Sequence, residues 1–99
     1  MPDLPPIDQE YLLEVLVELL NIPSPTGFAH QAIDYIEAAL EDFPELTAAK
    51  TRKGALVATW PGAQHVTPRA LTAHADTLGA MVKEIKSNGR LKLTKIGGF

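Results

Sequence analysis

Cysteine is absent from this chain of 99 residues, which excludes a disulfide framework, a cysteine-ligated zinc and thiol catalysis. Positive charge is scarce: 9 Lys and Arg stand against 12 Asp and Glu, for a formal net charge of −3. A surface of that sign offers no field for phosphates and argues against a nucleic-acid module. No apolar run approaches the about 18–20 residues of a membrane span. The opening Met1-Pro2-Asp3-Leu4-Pro5-Pro6 has neither a basic region nor an apolar one, so a secretory leader is not expected in it. The expectation is a cytoplasmic protein with no nucleic-acid or membrane partner. What is present is ordinary for a globular chain. Hydrophobic residues make up 45% and charged residues 21%, which excludes a disordered tail. The length suits one domain, or part of one, able to bury roughly 60–70% of its unfolded surface.

The first residues, rich in proline, read as an extended arm. Asp8 is placed to cap a helix with Glu10 in its first turn. Leu12, Leu13, Leu16, Val17 and Leu20 recur at helical spacing and predict a core face, with Glu10, Glu14 and Glu18 toward solvent. Pro23 stops this helix near Asn21. Asn21-Ile22-Pro23-Ser24-Pro25-Thr26-Gly27 is a stiff loop, and Thr26 is placed to cap a second helix. Ala29, Ala32, Ile33, Ile36 and Leu40 form that helix's apolar stripe, with Asp34, Glu37 and Glu41 away from it.

The period then changes. Residues 47–52 and 55–60 predict strands joined by a Lys53-Gly54 turn. Ala70-Leu71-Thr72-Ala73 has the look of a strand buried on both faces of an α/β sheet. Residues 80–86 and 90–95 bracket Ser87-Asn88-Gly89, a hairpin signal. A three-residue loop pairs Ile85 with Leu91, Lys83 with Leu93 and Met81 with Lys95. That register gathers Met81, Ile85, Leu91 and Leu93 on one side. Ile96-Gly97-Gly98-Phe99 reads as a turn leading into more structure, and the few strands leave both helices without cover. The expectation is the N-terminal part of a longer chain.

One constellation carries chemistry. His74 and Asp76 stand at i and i+2, which on an extended backbone puts both on the same side. A neutral imidazole is a ligand for zinc or cobalt. A carboxylate beside it fixes the ring's orientation and tautomer. The plain alternative is a strand-end pair bonded to backbone or water. One histidine cannot hold a catalytic metal alone. His30, near the start of the second helix, and His65, in a polar loop, have no ligand partner at helical or strand spacing. Ser24 and Thr26 lack a nucleophile elbow, and Gly97-Gly98 is not a phosphate loop.

Several segments together carry a resemblance. Residues 19–28, with Ile22-Pro23-Ser24-Pro25-Thr26-Gly27, resemble the end of the first helix in the tetrahedral aminopeptidases, the glutamyl and deblocking aminopeptidase family. Lys53-Gly54-Ala55-Leu56-Val57-Ala58 is similar to a strand of that family. Residues 71–82 around His74-Ala75-Asp76-Thr77 resemble its first metal motif, and residues 88–98 the hairpin that follows. The resemblance implies an α/β fold. Residues 1–76 would be the N-terminal portion of a mixed-sheet catalytic domain, and residues 77–99 the first hairpin of a β-rich dimerisation domain. It implies a dinuclear metalloaminopeptidase with two zinc or cobalt ions, peptide substrates, and homo-oligomers from dimer to dodecamer. His74 would be a metal ligand and Asp76 the catalytic-site carboxylate that orients it. Thr77 stands where many members carry an acidic residue. The remaining ligands are not among these residues, so the 99-residue chain alone is expected to be inactive and to bind metal weakly. Two other readings stay open. One is a non-catalytic product acting as an assembly or interaction module through the hairpin edge. The other is a carboxypeptidase-like deacylase, which also uses a strand-end His-x-Asp.

Overall fold

A computed structural model describes residues 3–98; Met1 and Pro2 of the expected arm, and Phe99 of the expected closing turn, lie outside the described residues. The described elements are helices α1 (Gln9–Leu20) and α2 (His30–Leu40), then strands β1 (Thr47–Lys50), β2 (Leu56–Thr59), β3 (Gly79–Ile85) and β4 (Leu91–Ile96). Among the described residues, no helix is long and apolar enough to cross a membrane.

Helix α1 begins and ends as its sequence dictates. The Tyr11 N–H donates to Asp8 Oδ1 at 3.0 Å, which satisfies one of the orphan donors of the first turn. At the other end the Asn21 side-chain amide donates to the Val17 carbonyl at 2.8 Å, and Pro23 follows. Helix α2 starts differently from expectation. Its N-cap is Ala29, with no side-chain cap, because Thr26 is engaged elsewhere.

The faces of α1 also differ from the periodicity reading. Tyr11, Glu14, Val15 and Glu18 line a groove opposite Tyr35, Ala38, Ala39 and Asp42. The Tyr35 hydroxyl donates to Glu18 Oε2 at 2.7 Å. That hydrogen bond, followed by partial desolvation and the Glu18 charge, raises the Tyr35 pKa to about 12. Glu14 and Glu18 therefore face the second helix. The expected core stripe of Leu12, Leu13, Leu16, Val17 and Leu20 is 44–63% exposed. Helical spacing says which residues share a face, and not what lies opposite. Helix α2 follows its pattern more closely: Ala32 is fully buried, and Ile33, Ile36 and Leu40 are half-buried. Its Asp34 and Glu37 both hold Lys50 Nζ, at 2.5 and 2.6 Å, tying α2 to β1.

Strands β1 and β2 pair antiparallel from Thr47 opposite Thr59 to Lys50 opposite Leu56. Gly54 takes the left-handed conformation (φ +86°) that the tight turn between them needs. Strands β3 and β4 form the expected hairpin, with Gly89 left-handed (φ +81°) and Ile85 opposite Leu91. Glu84 stands opposite Lys92, as that register requires, and beyond this pair the strands depart from it. A bulge at Lys83 sets Val82 opposite Leu93 and Met81 opposite Thr94. The extra residue exchanges a lysine–leucine pair for an apolar one. Val82, rather than Met81, thus shares a face with Ile85, Leu91 and Leu93.

The strand expected at Ala70-Leu71-Thr72-Ala73 does not form; the segment has no regular secondary structure and is exposed, and Leu71 is fully solvated. A strand buried on both faces needs neighbours, and no described strand lies beside it. The two sheets are separate two-stranded antiparallel pairs. The helical and β content is that of an α/β chain. Its surface is 9092 Å², against about 5,500 Å² for a compact protein of this mass. The Cα radius of gyration is 18.4 Å, against about 13 Å for a compact chain of this length. The expected large core is therefore not assembled among the described residues.

One long-range junction is closely packed. The loop after α1 meets the segment before β3. The Thr77 N–H donates to the Ser24 carbonyl at 2.7 Å, and Pro25 and Thr77 form a parallel bridge. The Ser24 hydroxyl, in a residue only 2% exposed, donates to the Ala75 carbonyl at 3.0 Å. A Cβ added at Gly79 would lie 2.7 Å from Pro25 Cβ, so glycine is required for this approach. Gly79→Ala is expected to destabilise the chain by about 1–3 kcal/mol in urea denaturation. Gly62→Ala, whose Cβ would come no closer than 3.7 Å to Gln64, is expected to stay within about 0.5 kcal/mol of wild type. Equal effects would mean that the junction is not a point of close packing.

Candidate functional site

The site is built on the junction. The His74 and Asp76 side chains meet, as their spacing predicts, although residues 74–76 lie in no strand. His74 Nδ1 lies 2.9 Å from Asp76 Oδ1 and 3.1 Å from the Asp76 carbonyl oxygen. An ionised carboxylate and a carbonyl only accept, so Nδ1 carries the proton. In the neutral ring, Nε2 then keeps its lone pair. The His74 side chain is 84% exposed and that of Asp76 36%.

A third residue joins them. The Thr26 hydroxyl donates to the other Asp76 oxygen, Oδ2, at 2.8 Å. The carboxylate is thus held at both oxygens, by groups that favour its ionised form. The Thr26 hydroxyl first, and His74 next, lower its pKa from the ordinary 3.8. The Asp76 side chain in turn raises the His74 pKa above the ordinary 6.5.

The other histidines are elsewhere. His30 stands exposed at the start of α2 with its ring edge-on to Phe28, centroids 4.6 Å apart. His65 is exposed in the polar loop. Among the described residues, no group of three or more His, Cys, Asp or Glu is placed to hold a metal ion. His74 offers one imidazole nitrogen whose partner nitrogen is held by a carboxylate. That donor fits a single coordination position and not a complete set.

Sequence reasoning paired His74 with Asp76 but missed Ser24 and Thr26, which lie about 50 positions away. The available signal was a loop stiffened by Pro23 and Pro25. Prolines restrict the backbone and so give small hydroxyl side chains a fixed place to reach from.

The pair sets a pH dependence. A raised histidine pKa contributes stability below 6.5 that is lost as pH rises through the folded-state value. A lowered carboxylate pKa contributes stability above 3.8 that is lost as pH falls. The contact is therefore strongest between those limits. In NMR titrations the His74 ring is expected to titrate above 6.5, and Asp76→Asn to lower its midpoint. An unchanged midpoint would show that the carboxylate does not hold the ring.

Comparison with known proteins places these residues in context. A model of the M42 glutamyl aminopeptidase family matches residues 54–99, the stretch that contains His74, Asp76 and Gly79. Over 87 residues the chain is 52% identical to YhfE of Bacillus subtilis (strain 168), which carries a provisional aminopeptidase name. That match covers 88% of this chain and 25% of the relative. The chain thus spans about a quarter of the length of the curated relative it matches. The resemblance read from the separate motifs is borne out at the level of the family.

Proposed function

We propose that this chain, which matches the M42 glutamyl aminopeptidase family model over residues 54–99, is part of a member of that family and contributes to the site of a metal-dependent aminopeptidase that removes N-terminal residues from peptides. The observation that carries this is the exposed His74 imidazole, held through Nδ1 by Asp76 at 2.9 Å with Nε2 open. A pair of zinc or cobalt ions would supply Lewis acidity and a nucleophile near neutral pH. His74 would be one ligand, through Nε2. Asp76 keeps Nδ1 protonated and the ring in place, and its negative charge makes the imidazole a better donor. Protonation of His74 removes the lone pair, so binding weakens as pH falls below its midpoint.

The same reading extends to the architecture. Residues 1–76 would enter a mixed-sheet catalytic domain, and residues 77–99 would open a β-rich dimerisation domain. The protein would act on peptides in the cytoplasm as a homo-oligomer. Zinc added to this chain alone is expected to raise its melting temperature very little, because one imidazole cannot supply the free energy of a three- or four-ligand site. Exchanged for the matching region of YhfE, the chain is expected to support hydrolysis of unblocked peptides. Zinc or cobalt should restore that activity after chelation, and His74→Ala should abolish it. Metal and activity retained in His74→Ala would overturn the assignment. Hydrolysis of N-acyl amino acids but not of free N-termini would favour a deacylase.

A second reading has its own observation. The hairpin presents Val82, Ile85, Leu91 and Leu93 on one exposed face, which fits an assembly module. On that reading the isolated chain is expected to self-associate in sedimentation experiments as its concentration rises. A monomer at high concentration would count against it.

A further inference from the structure

We infer that Thr26 is a positioning residue for His74: its hydroxyl fixes the Asp76 carboxylate and, through it, the orientation and tautomer of the imidazole. The inference rests on the proposed role of His74. The torsion that turns a carboxylate about its Cβ–Cγ bond is broad, with no sharp staggered minima. One hydrogen bond to an exposed histidine therefore leaves Asp76 able to rotate, with water competing for both oxygens. The 2.8 Å bond from Thr26 to Oδ2 removes that freedom and leaves Oδ1 facing His74 Nδ1.

Thr26 is itself held. It is β-branched, so its first side-chain torsion is restricted. It sits between Pro25 and Gly27, the latter left-handed at φ +86°. The bridge of Pro25 to Thr77 and the Ser24 contacts to Ala75 and Thr77 fix the backbone on both sides of Asp76. The hairpin backs the same point. A Cβ at Gly97 would lie 2.9 Å from the Leu78 side chain and 3.9 Å from Thr26 Oγ1. A helix cap, the ordinary role for a threonine here, is not what Thr26 does, since α2 is capped at Ala29.

The test is the tautomer of His74 in this chain, read from long-range proton–nitrogen NMR of the ring at a pH well above its midpoint. No metal and no activity are needed. In wild type the Nδ1–H form is expected to dominate. Thr26→Val, which removes the hydroxyl at nearly constant volume, is expected to lower the ratio of Nδ1–H to Nε2–H by roughly 2–10-fold, the range of one ordinary net hydrogen bond. Thr26→Ser is expected to keep the wild-type ratio. Ser24→Ala and the exchange rate of the Thr77 amide separate the hydroxyl's role from general loosening of the junction. A faster Thr77 exchange in Ser24→Ala with an unchanged tautomer ratio supports the proposal. Equal loss of the ratio in Ser24→Ala and Thr26→Val would assign the effect to loop docking and overturn it. So would a wild-type ring in the Nε2–H form, or a Thr26→Val ring with the wild-type ratio. Metal and activity retained by His74→Ala in the exchanged YhfE, with the tautomer result intact, would instead count against the proposed metal role.

Discussion

The grip of the proline-stiffened loop on the segment leading into β3 is the constraint on which the candidate site depends. It joins residues about 50 positions apart through the Ser24 and Thr26 hydroxyls and the Thr77 amide. Closing a loop of that length costs only slightly more than closing one half as long, by about 0.6 kcal/mol per doubling. Pro23 and Pro25 reduce what remains to be ordered. Ser24 is buried with its hydroxyl satisfied, so the junction carries no polar penalty at its centre. Gly79 lets the backbones approach, and a side chain there would push them apart.

The site divides into a local and a distant part, and only the local part was legible in the sequence. His74 and Asp76 stand only two positions apart, so their contact is local and needs no partner strand. Asp8 at the start of α1 and Gly89 in the hairpin were legible for the same reason: cap and turn chemistry acts over three or four residues. Thr26 was misread as a helix cap because local rules had a use for it, whereas its partner lies across the molecule. The bulge at Lys83 escaped because the unbulged register already gathered Met81, Ile85, Leu91 and Leu93 on one side. Only the cross-strand match of Val82, in place of Lys83, with Leu93 shows why an extra residue is accommodated.

The larger misses share one cause. The leucine stripe of α1 and the apolar run at residues 70–73 are correct statements about which residues need cover. Neither pattern says that the cover lies within the same 99 residues. The described chain leaves both in solvent and splits its strands into two small sheets. Tyr35 and Glu18 show what fills part of the space between the helices instead: a hydrogen bond between a hydroxyl and a carboxylate, strong enough to hold the phenol protonated to about pH 12.

These two features, an exposed apolar framework and a well-defined polar junction, follow from the difference in range between the forces. Apolar burial is non-directional and grows with area, so it needs extensive covering surfaces before it fixes anything. Hydrogen bonds from stiff side chains fix geometry over a few ångströms with few atoms. A carboxylate held at 2.8 and 2.9 Å on its two oxygens is set by three residues and the turn that carries one of them. The arrangement of His74 can therefore be defined where the surrounding core is not. For the metal-binding role proposed for His74, that order is the useful one. The ring nitrogen that would meet a metal is aimed by polar contacts made within the chain itself, and any further covering surface has only to keep water and the wrong partners away from it.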